Sequence, residues 1–536
     1  MANLRAPHIL LSIALLLGIC ADLFFYGHAL GISVPLFVIL GLLALSLISQ
    51  IEDRPGAANR WLGVAALSFA VWLAVRDEPM LVALNLLALI GLLLLLAVSF
   101  RSDALHRLPP VRLARRAFQA LFEIGIHPTI LAFRQMSRLR IGGDQMRALT
   151  PVVRGVILAT PLLLIFAGLL TAADSIFASY MTQLLTLQLP FSLWTAIVHA
   201  IIIICFAWGA AGLLIVALAE GVPTLAELPA EGDTERLDRS SMAWRFLGST
   251  EAITVLLLLD LLFAGFMAIQ GAYLFGGLDS LTRSGMTYAE YARRGFFELL
   301  TVACLALGLL CTLALVTHRE NAARRLAFNA SSSAMVLLVL GILTSAFQRM
   351  WLYELAYGFT RLRLYTHGFM IWLAVVLLIF VAALICARPR IFLSGGFASA
   401  LISLTILNII SPDALIVREN IARYQANPSA LTRSSITGRY SNNEGIDLDY
   451  LLSLSNDAVP TIVNALPILN PMQRDQATRQ LMDRRQQLSV SDDGWQSWNL
   501  SRSNATMAIS QVISCKLICD MPRSSATMAI MRVISP

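Results

Sequence analysis

Long apolar runs dominate the chain and are separated by short polar connections. Each run is continuous and lacks the alternation of polar and apolar positions that a membrane β-barrel needs. About 20 apolar residues in a helix cross a hydrocarbon core of about 30 Å. The pattern therefore predicts an all-α, polytopic transmembrane helical bundle of about eleven spans. The runs lie at residues 8–26, 29–49, 61–76, 80–99, 152–172, 192–218, 250–274, 296–316, 331–348, 368–386 and 391–410.

The composition agrees with a membrane protein. Of 536 residues, 57% are hydrophobic and 14% charged, and the mean hydropathy is +0.72. A soluble domain carries about 25% charged residues. The formal net charge of +7 comes from arginines between the spans. We therefore expect the lipid bilayer, and anionic lipids in particular, as the partner rather than nucleic acid.

The arginines are distributed unevenly among the connections. Residues 101–150 hold nine arginines and three acidic residues, whereas residues 173–192 contain no Arg or Lys. The positive-inside rule places the first segment in the cytoplasm and the second outside. With a cytoplasmic N-terminus, eleven spans place everything after residue 410 on the outer side of the membrane.

The basic loop also carries apolar side chains at regular intervals. Arginine clusters alternate there with Phe118, Leu121 and Phe122. This pattern is typical of one or two interfacial helices that lie on anionic headgroups. A solvated helical hairpin in the cytoplasm is the alternative.

The segment after the last apolar run is polar, but its apolar residues recur at three-to-four spacing, which predicts helices. It ends in two near-copies of one short sequence, SNATMAISQVIS and SSATMAIMRVIS. Two copies do not make a solenoid, and we predict an unstructured, repeat-like tail. The predicted organisation is residues 1–99, the first four spans; 100–150, the basic cytoplasmic loop; 151–410, the main bundle; 411–502, a small helical module; and 503–536, the tail.

Three ionisable residues inside the apolar runs are candidates for an intramembrane polar site: Asp260, Glu298 and His199. Charged groups in a span are costly and usually face a bundle interior or a hydrated cavity. Asp260 is nine residues beyond Glu251, a rise of about 13 Å that places it near the bilayer centre. The functional hypothesis is an ion or proton site. The structural alternative is a set of buried groups bonded to neighbouring helices.

Glu290, Arg294 and Glu298 are four residues apart in turn and share one stripe of a helix. They form either a charge ladder that fixes the depth of the helix or part of an outer vestibule. Arg361 and Arg363 lie against the apolar run at 368–386. One hypothesis is that both arginines anchor the helix to lipid phosphates. The other is that they form an outer anion or lipid site with Arg294, Glu290 or Glu354.

Enzyme signatures are absent from the sequence. It contains no GxxxxGK[ST], HExxH, GxSxG or strand-to-helix GxGxxG motif, and its seven histidines are dispersed. The cysteines show no CxxC pair or metal-type spacing. We predict no cofactor, no metal site and no catalytic residue.

Six stretches carry a family resemblance when they are taken in order. They are ATPLLLIFAGLLTAADSIF (159–177), LDLLFAGFMAIQGAYLFGG (259–277), TYAEYARRGFFELL (287–300), YGFTRLRLYT (357–366), LDYLLSLSNDAVP (448–460) and WQSWNLSR (495–502). Together they resemble a bacterial multi-pass membrane family, the domain of unknown function of 4173 type, which is related to the 4153 type. The resemblance implies a bacterial inner-membrane protein and carries over no activity or site.

Three functional hypotheses follow. The first is a non-enzymatic envelope sensor or accessory scaffold with an envelope or signalling partner in the membrane. The second is a transporter of an ion or small solute that uses the intramembrane acidic residues. The third is a lipid-active membrane enzyme.

Overall fold

The computed structural model describes residues 4–56, 58–102, 110–138, 191–219, 248–275, 296–317, 321–426, 446–490 and 494–520. These residues form sixteen α-helices and a few short 3-10 turns. The helices are α1 (Pro7–Phe25), α2 (Ser33–Ile51), α3 (Trp61–Val75), α4 (Pro79–Ser99), α5 (Pro110–Arg138), α6 (Phe191–Leu218), α7 (Ser249–Phe275), α8 (Phe296–Val316), α9 (Ala322–Tyr357), α10 (Arg361–Ile385), α11 (Pro389–Ile410), α12 (Pro412–Ala426), α13 (Leu448–Leu452), α14 (Val459–Ala465), α15 (Pro471–Val490) and α16 (Leu500–Asp520).

Nine of the described helices are long and apolar enough to cross a membrane, namely α1, α2, α4 and α6 to α11. The predicted all-α membrane bundle is therefore confirmed, and the count of eleven spans is approximate. Two predicted spans account for the difference. The run at 61–76 forms α3, which has only 15 residues, and the run at 152–172 lies outside the described residues.

The chain divides into two compact units, and we describe each by itself. Helix α4 contributes to both, because its first residues belong to unit 2 and the rest to unit 1. Unit 1 comprises residues 1–74, 86–225 and 493–498, and unit 2 comprises residues 75–85, 226–492 and 499–536.

In unit 1, α6 packs against both α1 and α5. Glycines permit these close approaches, because a Cβ atom at Gly18 would collide with the carbonyl oxygen of Ile203 and one at Gly212 with that of Ile124. In the described part of the basic loop, residues 110–138 form one long helix, α5. Its Phe118 and Phe122 are more than half exposed, and whether they lie on headgroups stays a prediction.

Residues 494–498 also belong to unit 1, although the predicted helical module at 411–502 includes them. The carbonyl of Trp498 accepts a hydrogen bond from the Ile32 N–H at 2.9 Å. The Ser497 hydroxyl accepts one from the Ala29 N–H at 3.1 Å. Trp495 packs edge-on against Phe24. Residues 494–498 therefore pack against the connection between α1 and α2 and accept hydrogen bonds from it.

In unit 2, α9 is the central membrane helix and contacts α7, α8 and α10. Fully buried apolar side chains such as Phe296, Phe328 and Met335 hold these helices together. Burying a side chain of this size contributes about 1.5–3 kcal/mol where water is the alternative. In a membrane, close packing replaces much of that driving force.

Helices α12 to α16 pack around a small core of their own in unit 2. We call these five helices the module. Ser411 adopts a left-handed conformation with φ of 56° and ends α11, and Pro412 opens α12 at its first position. Ile416, Val417 and Ile462 are among its most buried side chains.

The predicted unstructured tail begins too early in the sequence. Helix α16 continues to Asp520 and so contains the first of the two near-copies. Ala505 and Ile509, one turn apart, are buried in the core of the module. Apolar packing therefore orders this copy. Residues 521–536 lie outside the described part of the chain.

Candidate functional site

A set of charged and polar side chains lies in unit 2 where the module meets α10, α11 and the turn before α4. We call this set the polar cluster. Four arginines and four carboxylates take part, so their formal charges cancel. Its members are Arg76, Asp77, Glu78, Arg361, Tyr365, Asp413, Tyr450, Asn456, Asp457, Arg484 and Arg502.

The strongest contact in the polar cluster joins α10 to α12. Arg361 is the first residue of α10 and Asp413 lies in the first turn of α12. The Arg361 Nε donates to Asp413 Oδ1 at 2.8 Å and its Nη2 to Oδ2 at 2.5 Å. The Ser455 N–H donates to the same Oδ2 at 2.8 Å. Asp413 is fully buried, so its charge depends on this bidentate pairing.

A second carboxylate, Glu78, stands immediately before α4. Its Oε2 accepts the Leu81 N–H at 2.6 Å, which satisfies one of the free donors at the start of that helix. The same oxygen accepts the Tyr365 hydroxyl at 2.5 Å, and Arg361 Nε lies 3.7 Å from Oε1. Glu78 is only 2% exposed. Its side chain thus ties the start of α4 to the first turns of α10.

The turn before α4 is held by a carboxylate of the module. Asp457 Oδ2 accepts the N–H groups of both Asp77 and Glu78 at 2.9 Å. Arg76 reaches the other oxygen of Asp457 at 3.4 Å and donates to the Asn408 carbonyl at 2.7 Å. Two backbone donors on one carboxylate make a geometrically specific contact, because both N–H groups must point at one atom.

Desolvation acts on the members of the polar cluster outside the membrane helices. Burial raises the pKa of Asp77 above its usual value, although Asn456 and Arg502 oppose the shift. Burial also lowers the pKa of Arg484 and raises the pKa of Tyr450. The phenol of Tyr450 stays neutral and accepts the Arg361 N–H at 2.9 Å.

The four carboxylates of the polar cluster all accept hydrogen bonds from within the chain. Each of its four carboxylates is held by arginine, tyrosine, asparagine or backbone N–H donors. The described residues contain no group of three His, Cys, Asp or Glu side chains placed to hold a metal ion. The arrangement is that of a joint between helices.

The structure brings one residue of the predicted anion or lipid site into the polar cluster, Arg361. Arg363, two residues on, turns the other way and lies over the Tyr353 ring, 4.3 Å from its centroid. It also donates to the Gly358 carbonyl. Arg294 and Glu290 lie outside the described residues.

Glu354, a proposed partner of the arginines, instead contacts His367 through its side chain. Glu354 Oε1 lies 3.1 Å from His367 Nδ1. Both side chains are buried, at 1% and 8% exposure. The second oxygen of Glu354 and Nε2 of His367 have no hydrogen-bond partner among the described residues.

The predicted intramembrane site is spread over both units. Asp260 stands in the middle of α7, and its buried Oδ1 has no hydrogen-bond partner in the described part of the chain. Glu298 lies in the first turn of α8 and is exposed. No hydrogen bond or ion pair joins these two residues of unit 2 within the described ranges.

His199 belongs to unit 1 and forms a contact that sequence patterns do not show. Its Nδ1 lies 2.7 Å from Asp22 Oδ2, across the interface of α1 and α6. The Tyr26 ring packs beside it with a centroid distance of 4.0 Å. Asp22 and His199 are 177 positions apart, so spacing carries no sign of the pair.

Sequence reasoning missed most of the polar cluster. Glu78, Asp413 and Asp457 each stand at or near the start of a helix, where acids are common because they favour the helix dipole. The sequence therefore predicts acidic residues that cap helices at these positions, but it does not predict that they form buried ion pairs. Arg361 was predicted as a candidate only because a charged residue beside a span is unusual.

Comparison with known proteins adds a family assignment. The likeness to the 4173 type is not confirmed, whereas the related 4153 type is. No curated protein and no solved structure matches the chain. The family profile described as "Domain of unknown function (DUF4153)" matches residues 63–465, more than half of the chain. The apolar helices of the chain indicate a multi-pass membrane protein, and the profile match shows that the protein belongs to the DUF4153 family.

Proposed function

We propose that this protein is a non-enzymatic accessory or sensor protein of the bacterial inner membrane, and that its module binds an envelope partner. The N-terminus lies in the cytoplasm and the module on the periplasmic side in this proposal, which follows from the arginine-rich basic loop and the eleven-span count. The spans supply the membrane anchor, and the module supplies the surface outside it.

The observation that carries the proposal is the internal pairing of the four carboxylates in the polar cluster. A buried ion pair contributes little net stability over an apolar replacement, but it specifies one geometry. Arg361 with Asp413, and Asp457 with the turn at 76–78, fix the module on the membrane helices in one orientation. A fixed orientation suits a protein that presents or transmits a binding event. It is not needed for a loosely tethered domain.

In-cell photo-crosslinking tests the proposal. A crosslinker replaces Met472, a module residue that is 76% exposed, and a matched control replaces Leu261, a span residue that is 72% exposed. We expect an envelope protein to be captured from the first position and not from the second. Asp413→Ala should abolish the capture while the protein still inserts.

A deletion strain provides the second arm of the test. We expect sensitivity to detergent or osmotic stress, complemented by the wild-type chain and not by Asp413→Ala. Wild-type growth of the deletion strain, together with equal capture from Met472 and Leu261, would overturn the proposal.

A transporter is the second candidate function, and one specific observation favours it. Asp260 Oδ1 is buried in the middle of a span and has no partner among the described residues. Such a carboxylate is a candidate ion or proton carrier. The pair of Asp22 and His199 in unit 1 adds a second ionisable group within the spans.

Flux measurements separate the two candidates. Proteoliposomes holding the wild-type chain should show proton or cation flux that falls at least tenfold in Asp260→Asn. Glu251→Gln, an exposed change on the same helix, is the control. Flux that is absent, or equal in both variants, removes the transporter candidate.

A further inference from the structure

A cavity opens at the end of unit 2 opposite the polar cluster. It lies between the end of α8, the start of α9, the end of α10 and the start of α11, and its volume is about 370 Å³. That volume is within the range of small-molecule sites, about 300–1,000 Å³. Its wall is mostly apolar, and it has a polar edge. The lining residues that matter here are Thr317, Arg325, Asn329, Phe380, Leu384 and Phe392.

The polar edge of the cavity has unmet hydrogen bonds. Thr317 is 1% exposed, and its Oγ1 has no partner in the described part of the chain. Asn329 donates through Nδ2 to the Leu384 carbonyl at 3.4 Å, and its buried Oδ1 has no partner there either. Proteins leave few buried polar atoms unpaired, so two in one cavity wall call for an explanation.

Arg325 places a positive charge at the mouth of the same cavity. It is one helical turn before Asn329 on α9, so the two side chains lie on one face. Arg325 is exposed, and its side chain makes no hydrogen bond or ion pair with any residue that the structure describes. Arg388, also exposed, stands at the cap position of α11 beside the cavity.

The deeper wall is apolar and aromatic. Phe380 and Phe392 meet edge-to-face with their ring centroids 5.5 Å apart. Leu384, which is buried, continues this surface, whereas Leu393 is 51% exposed and lines the outer part of the cavity. The cavity therefore changes from cationic at the mouth, through neutral polar, to apolar inside the bundle.

We propose that this cavity binds an anionic glycerophospholipid whose headgroup carries hydroxyl groups. The phosphate pairs with Arg325, an ester or phosphate oxygen accepts the Thr317 hydroxyl, and a headgroup hydroxyl donates to Asn329 Oδ1. The acyl chain packs against Phe380 and Phe392. A free phosphate would leave the apolar wall empty, and the position among membrane helices supplies lipid from the bilayer.

The choice of headgroup follows from the fixed orientation of Asn329. Because Nδ2 is used by the Leu384 carbonyl, the free atom is the acceptor Oδ1, which needs a donor from the ligand. A choline headgroup has no such donor. An ethanolamine headgroup has one, but its charge cancels that of the phosphate beside Arg325. A glycerol headgroup supplies hydroxyl donors and keeps the net negative charge.

Native mass spectrometry of the full chain tests the proposal. The protein is reconstituted in nanodiscs of equal parts phosphatidylglycerol, phosphatidylethanolamine and phosphatidylcholine, and the lipid retained after release is counted. We expect phosphatidylglycerol to be retained at least tenfold over the other two. Arg325→Gln should reduce this retention about tenfold, the equivalent of one charge-assisted hydrogen bond. Arg324→Gln, the adjacent exposed arginine, is the matched control and should retain the lipid.

Thr317→Val keeps the shape of the wall and removes only the hydroxyl, so it tests the site without disturbing the fold. We expect a several-fold loss of retained phosphatidylglycerol. Equal retention of the three lipids, or equal retention by the Arg325→Gln and Arg324→Gln variants, overturns the proposal. Displacement of the lipid by millimolar inorganic phosphate alone would also overturn it, because the site would then be an anion site only. The proposal is independent of the proposed function, since neither Asp413 nor Met472 contributes to the cavity.

Discussion

In unit 2, the carboxylates of the polar cluster, which we call the paired end, and the polar edge of the cavity, which we call the unpaired end, differ in their hydrogen bonds. At the paired end, Asp413 and Glu78 are buried, and each of the four carboxylates accepts at least one hydrogen bond. At the unpaired end, Thr317 Oγ1 and Asn329 Oδ1 have no partner among the described residues, and Arg325 forms no ion pair within the same ranges.

The difference separates structural polar groups from binding ones. A buried group with all its partners inside the chain has nothing left to offer a ligand, so it fixes geometry. A buried group without partners carries a cost that a ligand can remove. Charge alone does not distinguish the two ends, since both contain arginines. What distinguishes them is whether the carboxylates at one end and the buried oxygens at the other have hydrogen-bond partners among the described residues.

Truncation breaks the paired end most severely. Ending the chain after Arg502 removes Ala505 and Ile509 from the core of the module. We expect the amide protection of α12 to α15 to be lost in hydrogen exchange, because α16 packs on α14 and α15. Ending the chain after Asp520 is the control and should preserve protection. Full protection in the shorter chain would contradict the burial of α16.

Asp413→Ala should have the next largest effect. It leaves Arg361 without its bidentate partner, and removal of one member of a buried pair costs about 3–5 kcal/mol. Local unfolding free energies of α12 from hydrogen exchange would measure this loss. Asp475→Ala, an exposed change on α15, should leave them unchanged. Equal values for the two variants would show that the pair is not required.

Tyr365→Phe removes a single hydroxyl from the paired end. Glu78 keeps the Leu81 N–H but loses the tyrosine donor, which should cost about 1–3 kcal/mol. Thermal unfolding in nanodiscs can detect a change of this size. Tyr357→Phe, at the end of α9, is the comparison change. An unaltered melting temperature in Tyr365→Phe would mean that another donor replaces the hydroxyl.

Thr317→Val at the unpaired end should act with the opposite sign. In lipid-free detergent, removal of an unpaired buried hydroxyl is expected to leave stability unchanged or raise it by up to about 1 kcal/mol. The same unfolding assay gives the comparison with Tyr365→Phe. A loss of more than about 1 kcal/mol would indicate that the hydroxyl already has a partner within the protein.

The smallest expected effect is a change in pH dependence at Asp77. Burial raises its pKa in the folded state, so the folded chain binds the proton more tightly than the unfolded chain. Its stabilising contribution is fully present below about pH 4, the ordinary pKa of Asp, and is lost as the pH rises through the raised value. Asp77→Asn should flatten the unfolding free energy over that window. Asp475→Asn should keep the wild-type slope.

The membrane helices were predictable from the sequence, but the polar cluster was not. A span is a local property, because some 20 consecutive apolar residues suffice to predict it, and α6 to α8 follow their apolar runs closely. The contact of Arg361 with Asp413 spans 52 positions, and that of Asp457 with Asp77 spans 380. No periodicity extends over such distances.

Helix α16 shows a different limit of sequence reasoning. Ala505, Ile509 and Val512 follow helical spacing and pack on the core of the module. The near-duplication of this segment favours an unstructured repeat when the sequence is taken alone. The local apolar pattern was the better guide, because a repeated segment can still bury its first copy.

The turn at residues 76–78 has a consequence for the order of synthesis. Asp457, which accepts the N–H groups of Asp77 and Glu78, follows them by about 380 residues. At about 5–20 residues per second, the ribosome needs about 20–80 s to supply it. During that interval, the N–H groups of Asp77 and Glu78 lack the carboxylate acceptor that they have in the complete fold. Closure of the turn therefore requires synthesis at least as far as Asp457, and we expect a chain that ends before this residue to leave the turn without its acceptor.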